Sequence, residues 1–154
     1  MQDESDARLQ ALGLTLPEAP QPVANYVPFV VSGGQLFIAG QVSRRADGSG
    51  YKGQLGANLG VADGQKAAEL ACLNLLAQAK AALGSLDRIG RGLRLTGFVS
   101  STPEFGDHPQ VINGASDLLV AVLGERGRHT RCAVGVASLP FGFAVEVDAI
   151  FAIA

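Results

Sequence analysis

Residues 62–83 constrain the fold most strongly. Ala67, Leu70, Ala71, Leu75, Ala79 and Ala82 recur at helical spacing, with Leu73, Leu76 and Leu83 beside them. Beyond a capping Asp63, only Lys66, Glu69 and Lys80 are charged, and Gly84 stands where the helix should stop. A helix with so little polar surface is covered on more than one side, so it needs layers around it. Its neighbours supply them. Residues 28–32 and 35–42 read as strands joined by a Gly33-Gly34 turn. Residues 92–99 alternate like a strand. Residues 107–124 read as a second helix, apolar at Val111, Leu118, Leu119, Val122 and Leu123, with Gly124 as its stop. Strands over 131–138 and 143–153 flank Leu139-Pro140-Phe141-Gly142. The order ββ–α–β–α–ββ predicts an α+β fold: a mixed sheet with both helices on one face.

Residues 3–13 fit a short amphipathic helix with Leu9 and Leu12, and Leu14 just beyond. Pro17, Pro20 and Pro22 then impose an extended lead-in, because proline fixes φ and lacks a backbone donor. Residues 43–60 hold Arg44, Arg45, Asp47 and five glycines, a long loop of the kind that is functional or mobile. Within it, Gly48-Ser49-Gly50-Tyr51-Lys52-Gly53 lacks the spacing of a phosphate loop. No repeat or internal linker interrupts the chain. One domain over residues 1–154 is expected, with 1–22 as its helix and proline-rich lead-in.

Composition narrows the function classes. The 154 residues suffice for a core without disulfides or a metal. Charged residues make up 17%, against roughly 25% in typical soluble domains. Either part of the surface is hidden in an oligomer, or a monomer wears an Ala/Gly-rich skin. A net charge of −2 disfavours nucleic acid, which needs a basic face. Arg44-Arg45, Arg88/Arg91/Arg94 and Arg126/Arg128/Arg131 are clusters, none of them a tract; a solvated turn accounts for Arg126-Gly127-Arg128-His129. Cys72 and Cys132 lack CxxC spacing and read as free buried thiols of a cytoplasmic protein. The acidic opening residues carry no signal-peptide pattern, and no stretch reaches the ~18 apolar residues of a membrane span. His108 and His129 read as loop residues, and no metal site is expected. Ser100-Ser101-Thr102 offers a hydroxyl nucleophile without an identifiable His/Asp companion.

The last two strands carry the candidate chemistry. By the period of two, Cys132, Val134 and Val136 share one face of 131–138; Arg131, Ala133, Gly135 and Ala137 share the other. In 143–151, Phe143, Val145, Val147, Ala149 and Phe151 oppose Glu146 and Asp148. If the bulky sets face the helices, Arg131, Glu146 and Asp148 lie together on the far face. An arginine there could grip a carboxylate through two parallel hydrogen bonds, and a glutamate could orient or deprotonate a water. A solvated face or a structural ion pair explains the same spacing. In a simple hairpin about residues 140–141, Glu146 would sit roughly 13 Å from Arg131 at ~3.3 Å per residue. A site at a subunit boundary, or another strand order, would remove that objection.

Several stretches resemble the RidA/YjgF family, often labelled endoribonuclease L-PSP-like. They are Asn25-Tyr26-Val27, the strand Leu36-Phe37-Ile38-Ala39-Gly40-Gln41-Val42, the run from Arg131 to Pro140, and Val145-Glu146-Val147-Asp148-Ala149. The resemblance covers about residues 20–154. Leu14 to Pro20 is similar to a divergent branch named for endoribonuclease activity. The resemblance implies a chorismate-mutase-like fold and a homotrimer whose three sheets enclose a barrel-like centre. It also implies active clefts between subunits that hydrolyse enamines or 2-imino acids to 2-keto acids and ammonia, without a cofactor. Carried over by position, Arg131 matches the substrate-carboxylate arginine and Glu146 the glutamate that positions water. Tyr26 matches a cleft-lining tyrosine and Gly40 a glycine whose backbone faces the ligand. Phe98 is similar to an aromatic beside the cleft. Asn113 lies one position from the family's helix asparagine. Two departures stand out: Ala133 replaces a cysteine, displaced to Cys132, and Ala39 replaces a serine before Gly40. Beside the deaminase stand two alternatives, an endoribonuclease (the family's translation-inhibitor label) and a non-catalytic trimer that binds a small carboxylate. The lack of a His/Lys general-acid set counts against RNA cleavage.

Overall fold

Gly33 and Gly34, both at positive φ (59° and 74°), turn the chain tightly enough to pair β1 (Phe29–Ser32) with β2 (Gln35–Val42). The computed structural model, which describes residues 2–154, places these strands at one edge of a five-stranded sheet. The remaining elements are α1 (Glu4–Ala11), α2 (Val61–Leu83), β3 (Ile89–Ser100), α3 (His108–Leu123), β4 (Thr130–Val136) and β5 (Val145–Ile153). The strand order is β1-β2-β5-β3-β4. β3 and β4 run parallel and every other pair is antiparallel, so the sheet is mixed as expected. The expected hairpin of the last two strands does not form: β3 lies between them. Among the described residues no helix is long and apolar enough to cross a membrane.

α2 and α3 pack on one face of the sheet. Leu36, Ile38, Leu95, Val99, Val147, Ala149 and Phe151 point into that layer and are buried. Ala67, Ala71, Cys72, Leu75, Leu76 and Ala79 are wholly buried, so α2 is covered on several sides, as its lack of charge requires. The helix starts one residue earlier than expected, and the expected cap, Asp63, lies inside its first turn. Gly60 is the N-cap, and Asp63 reaches back to accept its N–H at 3.1 Å. Burial lifts the Cys72 thiol far above its ordinary range, whereas Cys132, expected to be buried, is exposed. α2 and α3 meet where side chains vanish: the Gly114 Cα lies against the Gln65 backbone, and Gly64 lies against Val111 and Leu55. The 43–60 loop is tied down by bridges from Arg44 to Gly50, Lys52 to Phe143 and Leu55 to Ser101.

The N-terminal helix is held by a residue far away in sequence. Asp87 accepts from Glu4 N at 2.7 Å, Ser5 N at 3.0 Å and Ser5 Oγ at 2.6 Å. Arg126 donates to the Asp87 and Ile89 carbonyls and to Ser5 Oγ. These bonds, the Ser5 hydroxyl foremost, hold the Asp87 carboxyl below its ordinary range. Asp87→Ala removes a helix cap and is expected to lose about 1–2 kcal/mol of unfolding free energy at neutral pH. A carboxyl with a lowered folded-state pKa stabilises above its unfolded pKa, and that contribution disappears as pH falls. Denaturation curves of variant and parent should therefore converge in acid. Equal stability at neutral pH would show that the cap contributes nothing.

Candidate active site

The sheet face away from the helices holds one half of the predicted site. Glu146 is half-buried on β5, beside Val42 on β2 and Phe98 on β3. A bulge in β2 between Ile38 and Gln41 turns Gly40 towards it. A Cβ on residue 40 would lie 2.9 Å from the Glu146 Cδ, so a glycine there leaves room for the carboxyl. Burial first, then the nearby Asp148 charge, raise the Glu146 pKa above its ordinary range. Asp148 is raised as well, by burial, against the opposing pull of the Thr96 hydroxyl and Arg94. Glu146 opens into a cavity of about 600 Å³ that Tyr26, Gly40, Arg44, Arg45 and Phe141 also line. The proline-rich lead-in from Pro17 to Val23 forms another wall. It is held there by Gln78 of α2, which donates to the Pro20 carbonyl. Phe141 adopts φ 58°, the left-handed region that a bulky side chain rarely occupies, and stays 70% exposed at the cavity.

Arg131 lies on the other face. Leu95 of β3 pairs with both Arg131 and Ala149, and Leu95 and Ala149 point towards the helices. Arg131 follows them and ends against α3. Its Nη1 donates to Asn113 Oδ1 at 2.9 Å and Ser116 Oγ at 3.2 Å, and its Nη2 to the Pro109 carbonyl at 3.3 Å. The expectation that Arg131 and Glu146 share a face is therefore wrong. β4 is an edge strand, so its apolar residues need not point inward. Cys132 and the exposed Val134 take the open face instead, and Arg94 donates to Cys132 Sγ at 3.2 Å. Two strand spacings and three residues put the Cα atoms of Arg131 and Glu146 about 14 Å apart, with the sheet between their side chains.

The predicted residues thus form two groups. Tyr26, Gly40 and Glu146 meet at the cavity; Asn113 and Arg131 meet at α3. Phe98 sits on the open face between Glu146 and Val134. Sequence reasoning missed the partners around Arg131. His129 is no idle loop residue: its Nδ1 is 2.6 Å from the Gly127 carbonyl and its Nε2 2.9 Å from Ser116 Oγ. Only Nδ1–H can serve the carbonyl. In the neutral ring Nε2 then accepts from Ser116, whose oxygen accepts from Arg131. Ser101 does have a histidine companion, His108 at 3.2 Å, although no carboxylate is hydrogen-bonded to that ring among the described residues. Gly135 makes room for this pair, since a Cβ there would lie within 2.6 Å of both. Neither pairing has a signal in linear spacing.

Comparison with known proteins places this geometry. Residues 6–152 match the family described as "YjgF/chorismate_mutase-like, putative endoribonuclease". Protein TCP17 of Trypanosoma cruzi is 53% identical over 145 residues, covering 94% of this chain and 91% of its own length. The crystal structure of Atu1372, a protein of unknown function from Agrobacterium tumefaciens, is 50% identical. It superposes with a TM-score of 0.90 over 98% of this chain and 94% of its own. A "putative endoribonuclease" from Shewanella oneidensis is 38% identical, with a TM-score of 0.93 over 97% and 99%.

Proposed function

The chain belongs to the YjgF/chorismate-mutase-like family, and from that premise we propose that it hydrolyses reactive 2-imino acids to 2-keto acids and ammonia in a cleft between copies of itself. The observation that carries the reading is the split site. Arg131 and Glu146 sit on opposite faces of one sheet, each in its own built surroundings. Only two different copies can bring them to one substrate. The open face supports assembly, because it exposes Phe37 and Val134 around Glu146 and Asp148. Large exposed apolar side chains grouped on one face mark an association surface. A homotrimer with the three sheets turned inward would cover it.

The chemistry follows from the donors that remain. Asn113, Ser116 and Pro109 engage both Nη1 hydrogens and one Nη2 hydrogen of Arg131. Nε–H and the other Nη2 hydrogen are left as a side-on fork for the substrate carboxylate. This fixes the C=N carbon. Glu146 from a neighbouring copy takes a proton from water as the oxygen attacks that carbon. Glu146 passes that proton to the nitrogen; the remaining hydroxyl proton follows as the C=O bond forms and the C–N bond breaks, so ammonia leaves, the keto acid remains and Glu146 is again a carboxylate. Positioning and modest acid–base help suffice for a substrate that already reacts with water. Backbone cleavage of RNA is less well served: the cavity holds acids as well as arginines, and both histidines are engaged with serines.

The test generates 2-imino acids in situ with an amino-acid oxidase and follows keto-acid formation. Acceleration by the protein across several neutral side chains is expected. Its absence, in a preparation that is folded and assembled, would overturn the reading. The pH profile gives a further expectation. With its pKa raised by burial and Asp148, Glu146 becomes a base only above the ordinary carboxylate range, so the acidic limb of kcat/KM should lie there. Asp148→Asn removes a negative neighbour, lowers the Glu146 pKa and should move that limb towards acid. A limb that moves the other way, or not at all, would show that another group controls the rate.

A further inference from the structure

The cavity at Glu146 contains cations that the proposed reaction does not use. Arg44 and Arg45 line it. Among the described residues, the ion pairs involve Arg8, Lys80, Arg126 and Arg128; neither Arg44 nor Arg45 has a carboxylate within ion-pair distance. The nearby Asp47 is instead bound by Ser49, at 2.9 Å to its N–H and 2.6 Å to its hydroxyl. The turn that carries both arginines is built from buried polar groups. Asn74, 3% exposed, donates to the Arg44 carbonyl at 2.8 Å and to that of Val42 at 3.0 Å. The fully buried Ser43 donates its hydroxyl to the Tyr51 carbonyl at 3.0 Å. Arg45 N–H donates to the Ser49 carbonyl at 2.7 Å, and its guanidinium lies 5.2 Å from the centre of the Tyr51 ring. Gly50, at φ 154°, closes the turn so tightly that a Cβ would lie 2.1 Å from the Ser43 carbonyl. Such anchoring fixes the backbone from which the two exposed arginine side chains project at the wall of the cavity.

We propose that Arg44 and Arg45 bind a second carboxylate, so that the preferred substrates are 2-imino dicarboxylic acids. The inference rests on the imine-hydrolysis reading for the reaction but not for the binding. Arg131 of another copy would hold the carboxylate next to C=N, and the arginine pair the one at the far end of the side chain. Charge balance favours a carboxylate over a phosphate. The acids that line this cavity are Glu18 and Glu146, which offset two arginines. The cavity is therefore formally neutral: the two guanidinium groups can pair directly with one carboxylate, but no excess positive charge remains for a doubly charged phosphate.

The experiment measures binding of stable keto acids by calorimetry to the assembled protein: 2-oxoglutarate against 2-oxopentanoate, which has the same carbon chain without the second carboxylate. A charge-assisted pair predicts roughly ten-fold tighter binding of 2-oxoglutarate. That preference should fall to near parity in the Arg44→Gln/Arg45→Gln variant. Equal affinities in the parent, a preference that survives the double substitution, or no binding of either acid would each overturn the inference. Hydrolysis of neutral imino acids without a dicarboxylate preference would leave the proposed reaction standing and remove the inference. A dicarboxylate preference in a protein that accelerates no imine hydrolysis would do the reverse.

Discussion

Gly114→Ala is expected to cost about 2–4 kcal/mol of stability, read as a lower urea midpoint with an unchanged slope. The added Cβ would sit 2.1 Å from the Gln65 carbonyl oxygen and 2.9 Å from its carbon. Both are backbone atoms of α2, so no side chain can swing aside and the helices must separate. Alanine's higher helix propensity returns only about 1 kcal/mol, too little to offset this. Gly64→Ala is the matched comparison. Its Cβ would meet Val111 Cγ2 at 2.9 Å and Leu55 Cδ1 at 3.0 Å, which are side-chain atoms able to shift. A smaller loss is expected there. A Gly114→Ala protein as stable as its parent would mean that the two helices do not touch at this point. The damage should also reach the site, because α3 carries Asn113 and Ser116, which hold Arg131.

Arg131→Ala is expected to lower kcat/KM for imine hydrolysis on the order of 100-fold, since truncating one member of a hydrogen-bonded charge pair removes about 2–5 kcal/mol. Arg131→Lys keeps the charge but loses the fork, so it should recover little of that loss. Glu146→Gln should abolish the acidic limb together with most of the rate. Full activity in Arg131→Ala would overturn the split-site reading, because no role for Arg131 in holding the substrate carboxylate would remain. The measurement is the keto-acid assay with assembled variants.

Elements governed by local rules were legible in the sequence. The Gly33-Gly34 turn, the stops at Gly84 and Gly124 and the heavily covered α2 follow from positive φ, helix termination and missing charge. β3 was longer than its alternation implied: it begins at Ile89, where bulges near Gly90 and Gly92 break the period of two. Alternation also failed on β4. It tells which residues share a face but not which face is covered, and at a sheet edge the bulky set need not be the buried one. Neither could strand order be read, because β3 slips between two strands that are adjacent in sequence. The pairing of His129 with Ser116, and the cavity wall made by residues 17–23, depend on contacts between distant segments.

Strand order also has a consequence for how the protein is made. β5 lies at the centre of the sheet and joins the β1–β2 hairpin to the β3–β4 pair. It is also synthesised after all four of them. Until β5 docks, the β1–β2 and β3–β4 fragments each have an unpaired edge facing the gap. Leu36, Ile38, Leu95 and Val99 then lack the strand that completes their layer. Unpaired edges and uncovered apolar faces recruit other chains. A folding chain is therefore most open to association with other chains until Val145–Ile153 has docked.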